Sequence, residues 1–308
     1  MPAGLKTAIA VIILWSLSGF AQDQTDDTRS LRPREYSERR VQDSISQKRL
    51  KSRKKRPRII YAPVGDNDTP VAEGVDVGVT FWRLRRVKRT DPSEWQEVKR
   101  ILVETDGKSE KKLVNVIPVR AKSETVFSEG DLLRLTIEPP FESYVYIISR
   151  EQYKDGSYSD PYFIFPAKSA AGLSNKGSPG RLLFLPSEVR VFEIKRLNSD
   201  KAEKIAEWIT IILSRKPFEE LQPLEDDELV RRIDKQKFEG WRNEWIGPVW
   251  RFEMQDEVGS SITGREKNAG AKVGAKLNGG DPLPQTVYHI GRKSTDVVLF
   301  DLALRIGK

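Results

Sequence analysis

The residues that could do chemistry in this chain are few. His289 is the single histidine and cysteine is absent. That excludes thiol nucleophiles, disulfide frameworks, iron–sulfur ligands, thiolate zinc sites and multi-histidine metal centres. His289 stands between Tyr288 and Ile290 on an expected strand, the place of a packed or surface imidazole rather than a general base. Carboxylates are plentiful. Glu151 and Asp155 could flank a glycosidic bond, work that needs one protonated acid and one ionised partner at a set separation. Oxygens of Asp155, Ser157, Ser159 and Asp160, or of Asp66, Asn67 and Asp68, suit calcium, but neither stretch continues into the loop that ends in a bidentate glutamate. Turns are the expected role of both.

Other constellations fail on residue type. Gly270-Ala271-Lys272-Val273-Gly274-Ala275-Lys276 lacks the spacing of a phosphate cradle and the hydroxyl that follows its lysine. Gly172-Leu173-Ser174-Asn175-Lys176 departs from the nucleophile elbow. Ser109-Glu110-Lys111-Lys112 matches Ser-x-x-Lys only as a short coincidence in a polar turn. No catalytic residue, metal ligand or cofactor site is therefore assigned.

The strongest charge feature is the run Lys51, Arg53, Lys54, Lys55, Arg56 and Arg58. It closes a segment, 22 to 60, with 13 Lys or Arg against 6 Asp or Glu, whereas residues 61 to 308 carry 39 of each. The formal charge of +8 thus belongs to an arm. From Gln22 to about 70 the composition is that of a disordered basic linker, with Leu31, Tyr36, Val41, Ile45 and Leu50 too scattered for a core. The run could be a solvated spacer, or it could dock on an anionic surface at about 1 kcal/mol per residue, roughly 6 kcal/mol at most and salt-sensitive. Duplex binding calls for a basic face on the folded part, and formal neutrality of that part weakens it.

Residues 1 to 21 read as a secretory signal peptide. Lys6 gives the positive start, Thr7 to Leu17 is nearly all apolar, and Gly19-Phe20-Ala21 supplies small residues at the positions a signal peptidase inspects, so cleavage is expected between Ala21 and Gln22. As a helix, Thr7 to Ala21 would reach only about 22 Å, short of a bilayer core of about 30 Å. An exported chain without disulfides holds its fold by packing alone.

The remaining sequence predicts a mainly β fold, a sandwich-like antiparallel domain over 71–222, followed by a C-terminal α+β extension over 223–308. Val75 to Leu84 is rich in β-branched and aromatic residues, and Leu133 to Glu138 alternates as a half-buried strand does. Tyr144 to Ile148 is continuously apolar, as in a strand buried on both faces. Asp155-Gly156 supplies a turn before the apolar strand Tyr162 to Pro166, so a hairpin is expected there. Glu97–Val103, Lys112–Ile117, Arg181–Leu185, Val189–Ile194, Trp208–Leu213, Gln285–Ile290 and Asp296–Leu304 are further strands. One amphipathic helix is expected, capped by Asp226 or Asp227, with Val230, Ile233, Lys237, Trp241 and Trp245 along one face. The tryptophans, one turn apart, read as core rather than as a sugar platform. Gly264 to Asp281 reads as a loop.

These segments resemble a known family. Gly78-Val79-Thr80-Phe81-Trp82-Arg83-Leu84-Arg85 looks like the opening of bacterial secreted proteins that contain the domain of unknown function 4384. Tyr144 to Ile148, Arg150-Glu151-Gln152-Tyr153, Asp155-Gly156, Asp160-Pro161-Tyr162 and Ile164-Phe165-Pro166 are similar to its most characteristic stretch. Gly180-Arg181-Leu182, Leu185-Pro186 and Asp281 to Thr286 extend the likeness, which spans most of 75 to 290. It implies an extracytoplasmic β-rich accessory domain and imports no catalytic residues.

The expected function is that of an exported, non-catalytic interaction domain of the cell envelope. Its expected partners are an envelope protein or an anionic surface polymer, with a peripheral membrane surface as a further possibility for the arm; nucleic acid is disfavoured and the oligomeric state is open. Two alternatives stand beside it: a carboxylate hydrolase with a cleft between core and extension, and nucleic-acid binding through residues 48 to 58.

Overall fold

A computed structural model describes residues 59–64, 74–87, 96–101, 111–166, 175–186, 190–194, 203–225, 230–254, 258–271 and 274–307. The expected leader with Ala21 and Gln22, the run Lys51, Arg53, Lys54, Lys55, Arg56 and Arg58, the Asp66-Asn67-Asp68 stretch, Ser109-Glu110, Gly172 to Ser174 and the expected caps Asp226 and Asp227 lie outside the described residues.

The chain is mainly β, as its alternating and apolar runs require. In chain order the strands are β1 (Ile59–Val64), β2 (Gly74–Arg86), β3 (Gln96–Ile101), β4 (Lys111–Ala121), β5 (Val126–Phe127), β6 (Leu132–Glu138), β7 (Ser143–Tyr153) and β8 (Tyr162–Phe165). There follow β9 (Lys176–Gly177), β10 (Leu183–Leu185), β11 (Arg190–Glu193), β12 (Lys204–Ser214), β13 (Arg231–Arg232), β14 (Val249–Met254), β15 (Thr286–Gly291) and β16 (Val297–Ile306). Helix α1 is Lys235–Trp245 and helix α2 is Gly264–Gly270.

Two sheets face each other. The first runs β1-β14-β15-β2-β4-β3-β11-β6-β10, and the second runs β13-β8-β7-β12-β16-β5 with β9 on β7. Because β2 also pairs with β6, the strands β2, β4, β3, β11 and β6 close into a ring. Leu84, Val116, Leu132 and Val191, from four of those strands, form a small core of their own. The main core lies between the sheets: Val77, Val79, Phe81, Leu135 and Ile137 meet Val145, Ile147, Ile209, Ile211, Phe300 and Leu302. Opposite faces are capped by the helices. Helix α1 packs Phe238 and Trp241 on Tyr146, Ile148, Ile212 and Leu299, while Ala269 of α2, with Ile262 and Leu277, covers Trp82, Leu182 and Phe184.

This layering accounts for β7: its odd residues enter the inter-sheet core and its even residues the α1 layer, so the continuously apolar run is buried on both faces. The β7–β8 hairpin forms as expected, with Gly156 at φ +83° in the turn, a conformation that only glycine adopts without strain. The tryptophan pair is core-side: Trp241 is buried and stacks on Trp245 at 6.2 Å.

Five expectations are corrected. Residues 223–308 do not form an extension laid on a finished core. β14 and β15 belong to the first sheet, and β16 pairs with β12 along nine positions of the second, so both ladders would be left open without them. The basic linker does not run unbroken to 70, because the apolar stretch Ile59–Val64 pairs antiparallel with β14; Pro63 is tolerated since β1 is an edge strand. β6 is not half-buried. Its polar face is covered, with Arg134, Thr136 and Glu138 all buried and Thr136 accepting from the Trp82 indole at 3.0 Å.

The helix also starts later than expected. Arg231 and Arg232 are taken up by pairing with β8, and Asp234 caps α1 by accepting from the Lys237 N–H. Ile233, just outside the cap, joins Phe238 in one cluster as a hydrophobic staple. Finally, Gly264 to Asp281 is not all loop: Thr263 and Glu266 form a reciprocal capping box that starts α2.

Candidate anion-binding cleft

A cleft of about 500 Å³ opens between the β7–β8 turn and α1. Arg150, Tyr158, Lys235, Glu239 and Arg242 line it, with Ser157, Ser159 and Pro161 on the turn side. Local geometry puts them there. Arg150 continues the even-numbered row of β7 that carries Tyr146 and Ile148 towards α1, one pleat beyond the apolar layer. On α1, residues 235, 239 and 242 follow at spacings of four and three and so share one stripe.

The two guanidinium groups are held from different sides. Arg150 lies over the Phe238 and Tyr158 rings, 4.7 and 5.1 Å from their centroids. Arg242 lies 5.6 Å over Phe238 and is paired with Asp301 of β16, whose other oxygen accepts from Thr210 at 2.6 Å. Between them stands Glu239, with Arg150 Nη1 donating to Oε1 at 3.1 Å and Arg242 Nε 3.4 Å from Oε2. Arg150 Nε is buried without a hydrogen-bond partner, and among the described residues Lys235 has no ion pair. Burial, then the charge of Arg242, push Arg150 below its ordinary value, while Asp301 and Glu239 oppose them. A guanidinium remains charged regardless. Three cations face two carboxylates, so a formally neutral body carries a local positive cleft. An arrangement of rigid, stacked guanidiniums with one unused N–H suits an anion.

The residues singled out from the sequence lie elsewhere or are already engaged. His289 is buried, with Nδ1 2.6 Å from Asp76 Oδ1; its Nε2 faces Gly74, where a Cβ would stand 2.4 Å away. Glu151 and Asp155 keep separate partners. Ser157 donates to Asp155 through its hydroxyl and its N–H, and these bonds hold the Asp155 carboxyl below the usual range. Ser159 donates to the Asp160 carbonyl and accepts from the Glu151 N–H, and Asp160 pairs with Arg232 at 2.8 Å. Asp155, Ser157, Ser159 and Asp160 thus serve the hairpin turn, and among the described residues no three His, Cys, Asp or Glu side chains are grouped for a metal. In the glycine-rich stretch, Gly270 is there for packing: a Cβ would meet the Phe184 ring at 1.9 Å.

Glu151 belongs to a second polar cluster. Lys204 donates to Glu151 at 2.8 Å and to Glu207 at 3.2 Å, Ser149 donates to Glu207 at 2.6 Å, and Tyr153 donates to Glu151 at 2.8 Å. For Glu207, burial alone would raise the carboxyl, but Lys204 and Ser149 outweigh it and hold it below its ordinary 4.5. A folded pKa below the unfolded one means stability present above about pH 4.5 and lost as pH falls through the lower folded value. Glu207→Gln is therefore expected to lower stability at pH 7 by about 1.5–3 kcal/mol, with the gap to wild type closing at acid pH. Urea titrations at several pH values measure this; a gap that stays constant would contradict the assignment.

Sequence reasoning missed the cleft. Its signals were a charged residue, Arg150, directly continuing a doubly buried strand, and Lys235, Glu239 and Arg242 at helical spacing. The fold and the cleft together define a class: a two-sheet β domain, helix-capped on both outer faces, with a cationic pocket beside a hairpin turn. No family model, curated protein or solved structure matches the chain.

Proposed function

We propose that this chain is an exported, non-catalytic interaction domain of the bacterial cell envelope that binds an acidic partner. The observation that carries the reading is the convergence of Arg150, Arg242 and Lys235 on one cleft, with a buried Arg150 N–H left unused. The accessory role implied by the resemblance to the domain of unknown function 4384 is part of the same proposal. The basic run from Lys51 to Arg58 adds a salt-sensitive attachment to anionic surface, and the leader takes the chain out of the cytosol. A hydrolase reading draws no support from Glu151 and Asp155, since Glu151 serves Lys204 and Asp155 is held by Ser157.

The test is titration of the full chain with poly-L-glutamate at several salt concentrations. Arg150→Gln combined with Lys235→Gln is expected to weaken binding about tenfold or more, by removing two of the three cations in the cleft. Replacing Lys51, Arg53, Lys54, Lys55, Arg56 and Arg58 by glutamine is expected to flatten the salt dependence and leave the sensitivity to Arg150 intact. Equal affinity of wild type and the Arg150/Lys235 variant would overturn the cleft assignment. For export, mass measurement of material recovered from the envelope is expected to give an N-terminus at Gln22, and chain retaining Met1 in the cytosol would contradict it.

A further inference from the structure

We propose that Glu239 is an internal stand-in for the ligand: the cleft receives an aspartate or glutamate side chain of a partner protein, whose carboxylate takes the place of Glu239 between Arg150 and Arg242. This rests on the function proposed above and specifies its ligand. The two acidic groups that touch the arginines are held very differently. Asp301 is nearly buried and is fixed by Thr210 as well as Arg242. Glu239 is 42% exposed and, among the described residues, is held only by the two arginines, at 3.1 and 3.4 Å, longer than the roughly 2.7–2.9 Å of a well-made charge-assisted bond.

Glu239 can therefore leave without disturbing what it touches. Arg150 stays clamped between Tyr158 and Phe238, and Arg242 stays anchored on Asp301. What remains is a pair of pre-positioned guanidiniums with Lys235 at the rim. Glu239 gives one oxygen to each guanidinium, which is the bridging mode of a planar carboxylate. Charge points the same way. A monoanion that replaces Glu239 preserves the local balance of three cations against two carboxylates, whereas a more highly charged phosphoryl group adds repulsion with Asp301. A self-occupied site binds its ligand more weakly by the fraction of time it is occupied, so removing the occupant tightens binding.

The experiment titrates full-length wild type, Glu239→Gln, Glu244→Gln and Arg150→Gln with poly-L-glutamate, following the Arg150 Nε–H signal by NMR. Glu244 is an exposed acid on the same helix outside the cleft, so its variant controls for the change in net charge. Glu239→Gln is expected to bind about tenfold tighter than wild type, to shift the Arg150 signal before any ligand is added, and to reach the same saturated position as wild type. Glu244→Gln is expected to match wild type, and Arg150→Gln to lose the binding. If Glu239→Gln binds no tighter than Glu244→Gln while Arg150→Gln still weakens binding, the stand-in idea is wrong and the cleft reading survives. If no variant alters binding, both fall. Polygalacturonate and tripolyphosphate are run alongside. A larger gain on Glu239→Gln with polygalacturonate would overturn the peptide assignment, and a larger gain with tripolyphosphate would overturn the carboxylate.

Discussion

Deleting residues 296–308 is expected to abolish folding, leaving a chain with no cooperative urea transition. β16 sits between β12 and β5 in the second sheet, and its register with β12 runs from Val297↔Ser214 to Arg305↔Ala206. The deletion removes Val298, Phe300, Leu302 and Leu304 from the inter-sheet core and Leu299 from the α1 layer. At roughly 1.5–3 kcal/mol per buried aliphatic or aromatic side chain, five such losses match the whole stability of a typical domain, about 5–15 kcal/mol. The edge of β12 would also be opened to solvent along its length. A graded version keeps the chain intact. Phe300→Ala, at a position with no exposure, is expected to cost about 3–5 kcal/mol with an unchanged denaturant slope. A truncated chain that melts cooperatively near the wild-type midpoint would show that the C-terminal strands are an appendage after all.

The second large effect is expected where α2 meets the first sheet. Arg120 of β4 pairs with Glu266 of α2, with side chains 1% and 3% exposed. Arg120 also donates to the Leu283 carbonyl at 2.7 Å and lies 5.1 Å over Trp82, while Glu266 accepts from the Thr263 N–H and hydroxyl. Each charge is tolerable only because the other is present. Arg120→Met strands the Glu266 carboxylate and is expected to cost about 3–5 kcal/mol, the usual range for breaking a buried pair from one side. Replacing both residues by methionine is expected to cost clearly less than the two single changes added together, because neither charge is then abandoned. Urea midpoints of the three variants supply the comparison; strict additivity would mean that the pair is not coupled. Hydrogen exchange should in addition show residues 260–271 opening first in the single variants, since Arg120 N–H to Ser260 and Ile262 N–H to the Pro118 carbonyl are the backbone bonds nearby.

Much of the fold could be read from the sequence because its strongest signals are local. The run Tyr144 to Ile148 and the Asp155-Gly156 turn specify a doubly buried strand and its hairpin by themselves, and the tryptophan spacing on α1 already pointed inward. Other features depended on partners far along the chain. The alternation in β6 gives the correct period, yet whether its polar face meets water depends on the lobe around α2, and there Trp82 and Thr136 find each other across 54 positions. The Thr263-x-x-Glu266 pattern was a legible capping signal hidden in a glycine-rich stretch. The start of α1 was obscured because two arginines that suit a helix are drawn into pairing with β8. The cleft was the least legible of all: Arg150 and Glu239 are 89 residues apart, and nothing in either neighbourhood shows that strand and helix bring them together.

Anion binding in the cleft is tested most directly by a map of backbone amide shifts in the full chain as poly-L-glutamate is added. Saturable shifts are expected at Ser157–Asp160 and Lys235–Arg242, with the Arg150 Nε–H moving in step, all lost in Arg150→Gln. Shifts confined to residues 51–58, or saturable binding that leaves Arg150 and α1 unmoved, would contradict it.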